Sequence, residues 1–273
     1  FTCDAVRKGR ALEWGRKNID TDREYVLYLD EDTVVKNFDS LPDSDVVQLL
    51  ETPVITGSLS TYLTEVYRSG YQFEQRGFGY LKYPLYAWGG AIAIRGSLED
   101  QVTWNAKSIT EDTNFVWRAG NITDFSFEIS RQRFYNQAPT DMYNLFKQRR
   151  RWVSGTLSDL HLLPIRYRLL VLSRIIIWGF SPFAFLNGVL LYVYGGVITT
   201  NVFFIGLILS NIVVLHLTTL IGISNTFESN KLAVLALPLT LIASIVNSVG
   251  CIWGIIKRTK DFSVTEKYVF DTD

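Results

Sequence analysis

Cysteine and histidine are nearly missing from this chain. Cys3 and Cys251 lie in different regions with no partner spacing, so they imply neither a disulfide nor a zinc site. His161 reads as a surface residue, and His216, inside an apolar run, as a packed or interhelical polar group. Net charge is missing too, since 27 basic side chains balance 27 acidic ones. No basic face or aromatic–basic repeat recurs, and nothing points to a nucleic-acid partner. No signal peptide opens the chain. Phe1 stands where an initiator methionine would, and the first residues read as mid-domain, so a fragment is expected.

What is present is unevenly divided. Residues 1–168 carry most of the charge and residues 169–256 almost none, which predicts a soluble domain followed by a membrane domain. The soluble part is organised around Tyr25–Leu29, a β-branched and aromatic run that reads as a strand buried on both faces. The run stops at Asp30-Glu31-Asp32. Ligands collect at the carboxyl ends of strands in open α/β sheets. On extended backbone Asp30 and Asp32 share a face while Glu31 points away. Two hard carboxylates in one pocket suit Mg²⁺ or Mn²⁺, although a solvated acidic turn has the same sequence.

Around that strand, residues 4–18 read as a basic, moderately amphipathic helix carrying Lys8 and leading through a polar turn into the strand. Asp43–Glu51 reads as a short helix, Thr52–Gly57 as a strand with a turn, and Ser58–Gln75 as helical. Gly89-Gly90, after Trp88 and before the apolar run Ala91–Ile94, reads either as a tight turn or as backbone kept bare for a ligand. Thr110 and Thr113 are candidate caps for a helix whose first turn holds Glu111 and Asp112, acids that also suit the helix dipole. Phe125–Ile129 and Phe134–Asn136 are strand-like. Met142–Leu157 is helical and sets Gln148, Arg151 and Trp152 on one face. An interfacial helix, with Arg149–Arg151 on lipid headgroups and Trp152 in the aromatic belt, has the same pattern.

In this order, Lys8-Gly9-Arg10-Ala11-Leu12, Asp30-Glu31-Asp32, Gly89-Gly90, Thr110-Glu111-Asp112 and Gln148-Arg149-Arg150-Arg151-Trp152 resemble the inverting, membrane-bound family 2 glycosyltransferases. The resemblance covers roughly residues 4–170. Lys8–Leu12, Leu29–Thr33, the segment 88–90 and Leu163–Leu169 look most like the egghead-type β-mannosyltransferases within that family. It implies an α/β, GT-A-like, Rossmann-like nucleotide-sugar-binding domain followed by α-helical transmembrane segments. Residues 1–157 would be the catalytic domain, 158–178 an interfacial helix region, 179–256 transmembrane helices and 257–273 a tail. The family's first strand and base-reading acids would precede Phe1. The implied reaction moves a hexose from a UDP- or GDP-sugar, with inversion, to a hydroxyl of a lipid-linked, glycan or membrane-proximal acceptor.

The resemblance also distributes roles. Asp112 would be the general base, with Glu111 beside it; Lys8, Asp30 and Arg151 would hold the donor; Asp32 with Asp30 would hold Mg²⁺ or Mn²⁺. Gly89, Gly90, Gln148 and Trp152 would face the acceptor. Three alternatives remain: a processive polysaccharide synthase of the same family, an inactive membrane scaffold, and a haloacid-dehalogenase-type phosphatase. The phosphatase would use Asp30 as nucleophile and Asp32 as acid/base, but Glu99-Asp100 is a poor match to its second acidic pair and Gln148–Trp152 would go unexplained.

For topology, an integral membrane protein with a cytosolic catalytic face is expected, because Arg149–Arg151, Arg166 and Arg168 sit where positive-inside charges should. Thr199–Ile223 and Leu232–Ile256 are each long enough to cross a membrane. Leu169–Gly196, interrupted by Arg174 and Ser181-Pro182, is expected to split into an interfacial and a re-entrant piece. Residues 257–273 then return to the cytosolic side, where Phe262–Lys267 resembles a segment lying near the active site in related synthases.

Overall fold

The computed structural model describes residues 1–19, 23–195 and 202–259. Helix α1 (Arg7–Asn18) leads to strand β1 (Tyr25–Leu29), and then come β2 (Val46–Val54), α2 (Leu59–Ser69), α3 (Gln72–Gly77) and β3 (Ala91–Arg95). Next are α4 (Gly96–Val102), α5 (Glu111–Ile122), β4 (Phe127–Gln137) and α6 (Met142–Asp159), followed by α7 (Ile165–Gly195), α8 (Val202–Thr226) and α9 (Thr240–Ile256).

Among the described residues, four strands form one mixed sheet in the order β1-β3-β2-β4. β3 runs antiparallel to both β1 and β2, and β4 runs parallel to β2. The pairing Leu29↔Ala91 brings the carboxyl end of β1 beside the start of β3, where the Asp30 amide donates to the Gly90 carbonyl at 3.2 Å. The first acids and the glycine pair are therefore neighbours because of strand register.

Several expectations are corrected. Asp43–Glu51 is not a helix, because Val46–Leu50 belongs to β2, whose residues are buried on both faces. A short apolar run fits either period, and central-strand burial decides it. The two strand-like pieces at 125–136 are one strand, β4. β1 is a half-buried edge strand rather than one buried on both faces. Its extended backbone ends at Leu29, and Glu31-Asp32 form a turn closed by Thr33 N–H to Asp30 O at 3.0 Å, so strand alternation does not relate Asp30 to Asp32.

The main core packs β3 and β2 (Ile92, Ile94, Val46) against α5 (Phe115, Val116, Trp117). Val171 and Ile175 of α7 and Cys251 of α9 join the same cluster, so the first half of α7 is part of the sheet domain's packing. α7 is one helix with Pro182 inside it, not two pieces. Leu232–Ile256 is not one span: a 3-10 turn at Lys231–Ala236 and then Pro238 precede α9, which packs on α6. Built at Gly250 and Gly254, side-chain Cβ atoms would sit 2.6 Å from Arg149 Cβ and 2.8 Å from Val153 Cβ. Glycine at both positions lets α9 lie directly on the Gln148–Trp152 helix.

By length and composition, two helical windows could cross a membrane, Ile165–Ala184 and Ile205–Thr226. Ile176, Ile177, Phe180, Leu207, Leu209 and Val213 are exposed apolar residues on them. The segment Phe262–Lys267, and with it most of the tail, lies outside the described residues.

Candidate active site

Five elements converge at the end of β1. α1 brings Lys8, packed onto α5 through Gly9, whose missing side chain faces Glu111 Cβ at 3.5 Å. The Lys8 ammonium pairs with Asp30, donates to the Gly89 carbonyl at 3.1 Å and lies 3.5 Å from Glu111. A Cβ at Gly89 would sit 2.6 Å from Lys8 Nζ and 3.3 Å from Asp112 Oδ2. A side chain there would crowd the charged cluster and push the Lys8 ammonium aside, so the bare backbone leaves that ammonium its place. Gly90 differs: its Cβ would meet the Phe134 ring at 2.4 Å, so it faces the core and not the pocket expected of an acceptor residue.

Glu111 and Asp112 occupy the first turn of α5. Thr110 holds the N-cap position without a side-chain cap bond, while Thr113 Oγ1 accepts from Ala87 N–H and donates to Ala87 O, both at 3.1 Å. The turn of α5 is thus stitched to the chain leading into Gly89. Asp112 Oδ1 accepts from Thr113 N–H at 2.7 Å. Burial first, and the neighbouring Glu111 second, raise Asp112 to about 7, against the opposing pull of Lys8. Burial alone would lower Lys8, but Glu111, Asp30 and Asp112 more than offset it and hold its ammonium above its ordinary value.

Arg151, on α6, feels the same cluster: burial lowers it, and the charges of Glu111, Asp112 and Asp30 pull it back. Trp152 and Gln148 belong to a neighbouring arrangement. The Trp152 ring lies 4.2 Å from Arg149 Cζ and 5.4 Å from Arg68 Cζ. The Gln148 carbonyl accepts from Arg149 Nη1 at 2.6 Å.

Arg149 is fully buried, not on lipid headgroups: it pairs with Glu65 and donates to Asn247 Oδ1 at 2.9 Å. Arg68 continues the chain of charges to Glu65 at 2.5 Å and Glu51 at 2.7 Å. Arg150 donates to the Lys257 carbonyl at 2.8 Å, and Arg168 to Leu160 and Leu163 carbonyls at 3.2 Å, so both are tied to backbone.

Sequence reasoning missed this network and also missed Gln48. Gln48 Nε2 donates to Trp88 O and Ala91 O, both at 2.8 Å, and its Oε1 accepts from Trp88 N–H at 3.0 Å, clamping both ends of the glycine turn. A lone amide in the apolar run Val46–Leu50 was the available signal, because a buried amide must find partners.

The network carries a stability prediction. Glu65→Gln leaves a buried guanidinium without its anion and is expected to destabilise the fold by roughly 3–5 kcal/mol. Thermal denaturation checks this; an unchanged midpoint would show that the pair contributes nothing.

Among the described residues no group of three or more His, Cys, Asp or Glu is placed to hold a metal ion. Asp30 and Asp32 supply hard oxygen donors in one turn, with Asp30 already engaged by Lys8. That set fits a divalent ion that takes its remaining ligands from a diphosphate. Glu99, in the acidic pair a phosphatase would need, is buried and already engaged, accepting from Trp104 Nε1 at 2.7 Å and pairing with Arg23 at 3.2 Å.

The family description "Glycosyl transferase family group 2" matches residues 25–247, from β1 into the first half of α9. The chain belongs to glycosyl transferase family group 2. The chain is also similar to the beta-1,4-mannosyltransferase egh of Drosophila melanogaster, at 22% identity over 292 residues. That alignment covers 97% of this chain and 64% of the relative, so the chain spans under two thirds of the relative's length. The fold is the α/β class expected, its sheet mixed, and the match to the family leaves no place for the phosphatase reading.

Proposed function

We propose that the chain transfers a hexose, with inversion, from a nucleoside-diphosphate sugar to a hydroxyl of a lipid-linked or membrane-proximal glycan acceptor. The observation that carries this reading is the convergence of Lys8, Asp30, Asp112 and Arg151 beside the bare Gly89 backbone. Asp112 is the general base: a carboxylate raised to about 7 takes a proton from a hydroxyl more readily than an ordinary aspartate does. Glu111 keeps that carboxylate basic and balances Lys8. Lys8 and Arg151 face the diphosphate and stabilise the charge that grows on it as C1–O breaks. Asp32, with Asp30, would hold a Mg²⁺ or Mn²⁺ ion that adds positive charge at the same leaving group. A single displacement with no second nucleophile inverts the anomeric carbon.

Mannose is the first sugar to test, because the similar Drosophila protein is named a mannosyltransferase. The exposed apolar windows of α7 and α8 support a membrane-borne acceptor, and the catalytic face is assigned to the cytosolic side, where positive-inside arginines belong. Incubating the full chain in membranes with radiolabelled GDP- and UDP-sugars tests the reading: one donor should label a lipid-extractable product, and free sugar or phosphate alone would refute it.

Trp152→Ala is expected to raise the acceptor KM about tenfold and to leave the donor KM within about twofold, consistent with the loss of a flat apolar face. Arg151→Lys should lower kcat, because a point charge does not replace the planar fork. Equal shifts of both KM values in Trp152→Ala would remove Trp152 from the acceptor subsite.

A further inference from the structure

The edge of the sheet farthest from the candidate active site holds an open cavity. The strand order puts β1 and β4 at opposite edges, and a cavity of about 720 Å³ lies against β4, lined by Ser40, Leu41, Gln75, Arg76, Arg131 and Gln132 among others. None of Lys8, Asp30, Asp112 or Arg151 lines it. Its size suits a small-molecule ligand.

The wall is shaped by a break in β4. Gln48 pairs with Ile129 and Leu50 with Arg133, so β4 uses four residue steps where β2 uses two. Ser130–Gln132 therefore stand opposite Leu49 alone, held by Gln132 N–H donating to Ser130 Oγ at 3.0 Å. Such bulges redirect side chains, and here Arg131 and Gln132 line the cavity.

Its chemistry is that of donors for an anion and acceptors for hydroxyls. Arg76 and Arg131 have no carboxylate within ion-pair distance among the described residues. Burial, and then the charges of Arg131 and Arg133, hold Arg76 below its ordinary value, so three like charges crowd one place. Gln75 is 2% exposed; its amide nitrogen donates to the Tyr86 carbonyl, and its buried Oε1 has no donor. Gln132 repeats the pattern, donating to the Ser40 carbonyl while its Oε1 has no donor. Asp39 and Glu128 also line the cavity and add acceptors, Glu128 already taking the Ser44 hydroxyl at 3.0 Å.

We propose that this cavity binds a phosphorylated polyol, its phosphate on the Arg76 and Arg131 guanidinium groups and its hydroxyls on the Gln75 and Gln132 carbonyl oxygens. Two unpaired guanidinium forks match phosphate geometry, and two buried acceptors without donors are satisfied by ligand hydroxyls. The site stands independently of the transfer reaction. The same chemistry is offered by a free sugar phosphate and by an inositol lipid headgroup.

The full chain in detergent, saturated with UDP and GDP so that the donor centre is filled, is titrated with glucose 6-phosphate and with dihexanoyl-phosphatidylinositol. Saturable binding of either probe is expected, weakened about tenfold or more in the double variant Arg76→Gln, Arg131→Gln. Both replacements are on exposed side chains, and an unchanged thermal midpoint verifies the fold. Binding of glucose 6-phosphate identifies the free ester as sufficient; binding of the lipid probe alone identifies the headgroup as the source. No binding of either probe, or equal binding by the double variant, overturns the site.

Discussion

Asp112→Asn is expected to lower turnover by about 10²–10⁴-fold while leaving donor binding in place. Asparagine keeps the size of the side chain and can still accept from the Thr113 amide, so the geometry of the α5 turn survives. What is lost is the ability to take a proton. The pH dependence sharpens the test. A base works only when deprotonated, so with Asp112 raised to about 7 the parent's turnover should climb as pH rises through that value. The climb should be missing in the variant. Stability moves the other way, because the folded carboxyl binds its proton more tightly than its ordinary value of 3.8 allows. Folding is therefore favoured below pH 3.8 and loses that contribution as pH rises towards 7. At pH 8 the asparagine variant should unfold at or above the parent's midpoint, and at pH 4 the advantage should vanish. A variant with normal turnover would leave Asp112 as no more than an acid in a helix's first turn.

Asp32→Ala should reduce transfer to background, and a chelator should do the same to the parent until Mn²⁺ or Mg²⁺ is restored. A metal at a diphosphate leaving group contributes several kcal/mol, about 10²–10⁴ in rate. The pairing of Lys8 with Asp30 makes the two acids unequal. Asp32→Ala should weaken Mn²⁺ binding in the presence of a nucleoside diphosphate, read by electron paramagnetic resonance. Asp30→Ala should in addition release Lys8 and disturb the Gly89 carbonyl it holds. Full activity in chelator would leave Lys8 and Arg151 as the whole of the leaving-group stabilisation.

The site was legible where chemistry sits at the end of a strong local pattern. An apolar run stopping at Asp30 and an acidic first turn at Glu111-Asp112 are both local signals, and strand register then joined the first to Gly89. Lys8 and Arg151 were placed through resemblance, since a single cation on a helix has no local signature. The first part of β2 was read as a helix because its four apolar residues, Val46, Val47, Leu49 and Leu50, fit both periods, and Gln48 was lost with it. The Glu65–Arg149 pair spans 84 positions of sequence, and no periodicity within either helix shows it. The last apolar stretch read as a span from hydrophobicity alone; Pro238 and the close approach of Gly250 and Gly254 to α6 shortened it to a packed helix.

The most direct measurement is the anomeric configuration of the product. The full chain is given the sugar nucleotide it accepts, with the α-linked donor carrying ¹³C at C1, and the C1–H1 coupling of the transferred hexose is read by NMR. A β-linked hexose, formed in one displacement and absent in Asp112→Asn, is the expected result. An α-linked product would require two displacements and a second nucleophile, and would contradict the assignment of Asp112 as base.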